Sequence, residues 1–310
     1  MPLRLSTSKI LISMIRRWRK SLRLFIVKKM SSLATTNDSL GNVLAKKTGK
    51  YLAMAKVAAA DRITYFLNIF ARSATIIVRI WIFTQLYEVT YQAAGVEQVN
   101  GLAVPVIIWI LMLTQSFGAA SRPTAAFVIS EEVKSGALTY QLGRPYSYLL
   151  FQYASHLGRY VPNTLSSIAI GIVATLLLVG TVSVSWQGLV LGLILLVFGI
   201  TLDFLMNACM GLAALWVEDA TPFQWIYQKA QMAFGGMVFP IALFPEKFRA
   251  VAELLPFSQC FYSAARIMVK FDAALFGRFI LIQMVWVLVL GLMAVLIFKR
   301  GTRNVSINGG

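Results

Sequence analysis

A few polar side chains in this 310-residue sequence stand inside runs that are otherwise apolar. Asp203 is followed one helical turn later by Asn207, and Gln224, Gln228 and Gln231 recur at i, i+4 and i+7. On a helix, each of these sets shares one face. Arg79 lies within another apolar run, and Lys229 stands beside the glutamine stripe. The chemistry open to these groups is hydrogen bonding and charge pairing. Amides on one face suit a wet cavity or a partner helix, and Arg79 is a candidate counter-ion for Asp203. Ionisable groups in such surroundings are costly, which makes them candidates for function.

Covalent chemistry has few carriers. His156 is the one histidine, and Cys209 and Cys260 lie far apart with no zinc or redox spacing. No metal or cofactor is expected. A phosphate-binding loop is also missing from the pattern. Its nearest approach is GNVLAKKT at 41–48, where Lys46 replaces the second glycine that would let backbone amides wrap a phosphate. The chain is therefore not expected to hydrolyse ATP itself.

The elements that carry these residues are long. Hydrophobic residues make up 58% of the chain and charged ones 13%, and the apolar runs include 163–180, 188–216 and 279–298. About 20 apolar residues cross a bilayer as a helix, and only helices or closed barrels satisfy their backbone there. The expected fold is all-α and polytopic, with six spans near 73–90, 102–120, 161–179, 187–217, 223–244 and 276–298. Gly235, Gly236 and Pro240 predict a bend or break toward the end of the fifth. Gly188 and Gly192 form a small-xxx-small pair that suits close helix packing.

Charge is unevenly placed. Residues 1–50 hold twelve Lys/Arg against one acid, Asp38, on a chain of net charge +17. Within 10–29, Ile, Leu, Trp and Phe alternate with Arg16, Arg17, Arg19, Lys20 and Arg23. This suits an amphipathic helix on an anionic lipid surface rather than nucleic acid. Residues 1–50 thus form a basic extension to a membrane domain at 51–310. Loops at 92–100 and 181–186 contain no Lys or Arg, so the positive-inside rule puts them outside and both termini in the cytoplasm. The region 245–270 breaks that rule with Lys247, Arg249, Arg266 and Lys270, and short helices dipping into the outer leaflet would accommodate it.

The stretch ISEEVKSGALTYQLGRPYSY at 129–148 resembles the cytoplasmic loop of ABC-2 type permeases, including the pattern "I..EI..G.I...L.RP.S" of one bacterial branch. Supporting features are an amphipathic helix at 51–67, the segment from Leu255–Pro256–Phe257 to Arg266, and the closing VSINGG at 305–310. The likeness covers about 51–310. It implies a six-helix permease subunit in a bacterial inner membrane, working as an exporter. Two permeases, identical or related, would pair with two separate ATPase subunits. Short cytoplasmic helices would couple the two, a role that maps onto 130–142 and the helix at 51–67. Glu131, Glu132 and Lys134 would offer charge to the ATPase, while Val133, Leu138 and Leu142 supply an apolar side. The translocation path would then use Gln224, Gln228, Gln231, Asp203 and Asn207. The rival readings are an ion-coupled secondary transporter, a membrane-embedded enzyme and a non-transporting scaffold.

Overall fold

In the computed structural model, residues 40–63, 66–122, 124–217 and 220–308 are described, and no strand occurs among them. The predicted amphipathic helix at 10–29 lies outside the described residues. Residues Tyr51–Gly310 form one compact unit, separate from Met1–Lys50.

Among the described residues twelve α-helices follow one another. They are α1 (Leu40–Ile63), α2 (Phe66–Ala94), α3 (Val104–Ala120), α4 (Ala125–Lys134), α5 (Ala137–Leu142) and α6 (Tyr148–Val179). Then come α7 (Trp186–Leu212), α8 (Thr221–Phe234), α9 (Glu246–Leu254), α10 (Pro256–Cys260), α11 (Tyr262–Val269) and α12 (Ala273–Asn308). Among the described residues four helical stretches are long and apolar enough to cross a bilayer: Val104–Lys134, Tyr148–Val179, Trp186–Leu215 and Ala273–Arg303. α2 has 29 residues but carries Arg79 and Glu88. α8 has only 14 residues, about 21 Å of helix against a hydrocarbon core of about 30 Å.

α8 stops where the glycines and proline predict a break. Gly236 has φ +69, Pro240 cannot donate a helical hydrogen bond, and a 3-10 turn at Ile241–Leu243 follows. The backbone polar groups exposed by that break find side-chain partners. Gln115 Nε2 donates to the Met237 carbonyl at 2.6 Å, Tyr87 to that of Val238 at 3.2 Å, and Asn100 to that of Ala242 at 2.7 Å. The Ala242 amide donates to the Tyr262 hydroxyl at 3.1 Å. Non-helical backbone at membrane depth is tolerated only when protein buries it.

α7 is the central helix, packed against α12, α11, α10 and α4. Its glycines permit the closest of these approaches. A Cβ on Gly188 would fall 2.7 Å from the Ile267 carbonyl oxygen, and one on Gly192 would meet Met268. A Cβ on Gly199 would strike the Cys260 carbonyl. The predicted Gly188–Gly192 pair thus marks the seam where α10 and α11 lie on α7, and Gly199 extends it. At the break between α10 and α11, the fully buried Gln283 of α12 donates to the carbonyls of Leu195 and Gln259 and to the Ser263 hydroxyl.

The main core joins α3, α7, α11 and α12 through Phe117, Leu195, Phe261, Tyr262 and Phe279. A second joins α2 to α3 around Ile76, Ile80, Ile107 and Met112. Outward faces are equally apolar, with Trp81, Leu177, Trp225 and Leu288 all exposed. That is the expected pattern when the surrounding solvent is lipid.

Candidate functional site

Two sites emerge. The first is a cavity of about 510 Å³ between α2, α3, α6, α7 and α8. α8 faces it with an inverted amphipathic pattern. Gln224, Tyr227 and Gln231 are buried and Gln228 half-buried, whereas Trp225 and Ile226 on the other side are exposed. In a bilayer this is the stable arrangement, because the amides find partners inside and the apolar groups meet lipid.

Asp203 anchors the cavity wall. Its Oδ1 accepts from the Tyr227 hydroxyl at 2.6 Å, from Asn207 Nδ2 at 3.2 Å and from Gln231 Nε2 at 3.3 Å. The Ser121 hydroxyl donates to Oδ2. Four donors from three helical regions therefore converge on one carboxylate that is 2% exposed. A buried carboxylate requires this degree of satisfaction.

Arg79 lines the same cavity but does not pair with Asp203, contrary to the sequence-based candidate pairing. Its guanidinium donates instead to Gln115 Oε1 at 2.9 Å. The reason is geometric: the Asp203 oxygens are already occupied by hydroxyl and amide donors of nearer helices. At the far end of the cavity, Arg122 donates to Gln228 Oε1 at 3.1 Å, and Asn163 Nδ2 caps the end of α3 by donating to the Ala120 carbonyl at 3.1 Å.

Of the five path candidates, the cavity brings together Asp203, Gln228 and Gln231. Asn207 stands behind Asp203, donating also to its carbonyl at 2.7 Å, and Gln224 is buried outside the lining. Sequence reasoning missed Ser121, Gln115, Arg122 and Tyr227. A signal existed for Tyr227, which shares the face of Gln224 and Gln231, and for Gln115, which interrupts an apolar run.

The second site lies at the end of the bundle where α4 and α5 turn back toward α6. The expected coupling segment at 130–142 falls on two helices, α4 and α5. Gly136, at φ +73, adopts a left-handed conformation that splits them, and Ser135 caps α4 by donating to the Glu131 carbonyl at 2.7 Å. Thr124 caps the start of α4, accepting from the Phe127 amide at 3.3 Å.

The two neighbouring glutamates differ. Glu131 is exposed. Glu132 is half-buried and accepts from the Tyr148 hydroxyl at 2.7 Å and from Gln152 Nε2 at 2.6 Å. Leu138 is buried against Ile129, Tyr148, Phe204 and Leu212, while Leu142 and Tyr140 face outward. Lys134 is exposed beside them. Arg144 lies 4.7 Å over the Tyr140 ring and donates to the Tyr146 hydroxyl at 3.2 Å. These hydrogen bonds, Tyr146 first and then Tyr140, raise the pKa of Arg144 above its already high ordinary value. α1 adjoins this end. The Tyr51 hydroxyl accepts from the Ser147 amide at 3.2 Å, and the Ala55 backbone crosses α6 so closely that Gly158 has no room for a Cβ.

In a comparison with known families, the profile of a family described as "ABC-2 family transporter protein" matches residues 64–309. No curated protein matches the chain.

Proposed function

The chain belongs to the ABC-2 transporter family, and we propose that it is the permease subunit of an ATP-driven exporter. A second permease, identical or related, completes the path, and two separate ATPase subunits drive it. The observation that carries this reading is the cavity, a polar chamber walled by apolar-faced helices and lined by Arg79 of α2. Six spans with both termini in the cytoplasm fit the lysine- and arginine-free loops at 92–100 and 181–186. In this arrangement α2 and α8 supply the first and fifth spans, with α8 completed by the buried irregular segment after it.

The α4–α5 turn is the ATPase-coupling surface. Glu131, Lys134, Leu142 and Tyr140 face outward there, while Glu132 and Leu138 fix the turn to the bundle. α1 touches the same end and is the second coupling element. An ion-coupled carrier is less well supported, because its carboxylate must be free to take up and release an ion. Asp203 is held by four side-chain donors.

The test is to purify the tagged full chain in mild detergent from its own membranes and identify co-purifying proteins. An ABC ATPase, with ATP hydrolysis present in the complex and absent from the separated chain, is the expected result. ATP turnover by the pure chain, or a repeated absence of any ATPase, overturns the reading.

A further inference from the structure

We propose that the cavity is an anion site, taking a molecule with a carboxylate or phosphate head on an apolar body, the head held by Arg79. This rests on the permease reading and names the class of its substrate.

The cavity's described charged groups differ in how they are held. Arg79 and Arg122 line the cavity together with one carboxylate, Asp203. Ser121, Tyr227, Asn207 and Gln231 already surround that carboxylate with donors. Among the described residues Arg79 bonds only Gln115 Oε1, and it makes no ion pair. Gln115 is itself fixed, since its Nε2 is committed to the Met237 carbonyl at 2.6 Å. That bond turns the amide oxygen toward the guanidinium and orients it.

A guanidinium has five N–H donors in a planar fork that matches carboxylate and phosphate oxygens. One bond to Gln115 leaves most of that fork for whatever fills the chamber. A cation would be repelled by Arg79, and a neutral molecule would leave its remaining donors without a charged acceptor. An anion satisfies them. Phe83, Met232, Met237 and Val238 line the same space and would receive an apolar body. At about 510 Å³, the chamber lies within the range of small-molecule sites. Such an anion could come from the membrane as a lipid or from solution.

The test uses the full chain in phosphatidylcholine nanodiscs, reading both the thermal midpoint and saturable binding of labelled probe. In one arm dioleoyl phosphatidic acid is compared with dioleoylglycerol. In the other, hexyl phosphate is compared with hexanol. At least one anion is expected to bind saturably and raise the midpoint, while its neutral partner does neither. Phosphatidic acid alone assigns a membrane-derived substrate, hexyl phosphate alone a soluble one, and both support the shared chemistry.

R79Q should weaken anion binding at least tenfold, with R79K intermediate because it keeps the charge and loses the fork. Should R79Q fail to accumulate, Q228E places a carboxylate in the same chamber beside Arg122 and should weaken binding severalfold. Equal responses to charged and neutral probes overturn the proposal, as does undiminished affinity in whichever of R79Q and Q228E accumulates. ATPase co-purification is scored separately on the parent chain. If an ATPase is present without an anion response, the substrate class alone fails. Anion binding without any ATPase sinks the permease reading and leaves the site.

Discussion

Tyr227 donates its hydroxyl to Asp203 at 2.6 Å, linking the helix with the glutamine stripe to the central helix of the bundle. Both side chains are buried, so each has few replacement partners within reach. Leaving a buried polar group unsatisfied costs about 1–3 kcal/mol. Y227F is therefore expected to lower the thermal midpoint measurably while Asp203 keeps its other donors. D203L, which strands Ser121, Tyr227, Asn207 and Gln231 together, should be far worse than D203N. Equal stability of D203L and D203N would show that the network contributes nothing to the fold.

The adjacent glutamates should separate cleanly. E132A leaves the buried Tyr148 and Gln152 without their acceptor and is expected to cost about 1–3 kcal/mol, seen as reduced accumulation or a lower midpoint. E131A alters an exposed side chain and should change stability by no more than about 0.5 kcal/mol. E131A and E131K should instead weaken ATPase co-purification, since losing a charged pair across an interface costs about 2–5 kcal/mol. An E131K chain that retains its ATPase as well as the parent would move the coupling contact to Tyr140, Leu142 or α1.

At Gly199 even one methyl group is too many, because a Cβ there meets the Cys260 carbonyl. G199A should destabilise the chain by about 1–3 kcal/mol through overpacking. Gly277, in α12, has nothing within 4 Å of its would-be Cβ, so G277A should be neutral or stabilising by up to about 1 kcal/mol. Thermal midpoints of the two variants in the same detergent provide the comparison. Matching midpoints would mean that α10 and α11 do not lie on α7 as described.

Topology can be read with an impermeant thiol reagent on intact cells. Cys209 and Cys260 are buried, so the native chain should give little background. Single cysteines at Glu97 and Ser183, both exposed, should label, whereas one at Thr139 should label only after the cells are opened. Inverted labelling would reverse the orientation.

Much of this arrangement was legible in the residues themselves. Gln224, Gln228 and Gln231 reveal a shared polar face, and Gly235, Gly236 and Pro240 mark where α8 stops. Tyr227 was missed although it shares the face of Gln224 and Gln231, because an aromatic ring counts as apolar and only its hydroxyl bonds Asp203. The true partner of Arg79 was hidden for a different reason. Charge complementarity points to Asp203, but which oxygens remain open is decided by Ser121 and Tyr227, and their proximity is a property of packing. Likewise the split at Gly136 depends on a left-handed backbone that many helical glycines never adopt.

The irregular segment after α8 bears on how the protein is made. Its carbonyls at Met237, Val238 and Ala242 are claimed by Gln115, Tyr87 and Asn100. All three donors precede the segment by more than a hundred residues, so on the ribosome they are synthesised first. The segment therefore has its hydrogen-bond partners only once α2, α3 and the turn between them are in place. A chain cut between these halves would yield a carboxyl-terminal fragment that the membrane's quality-control proteases should clear, unless the amino-terminal fragment is supplied alongside it.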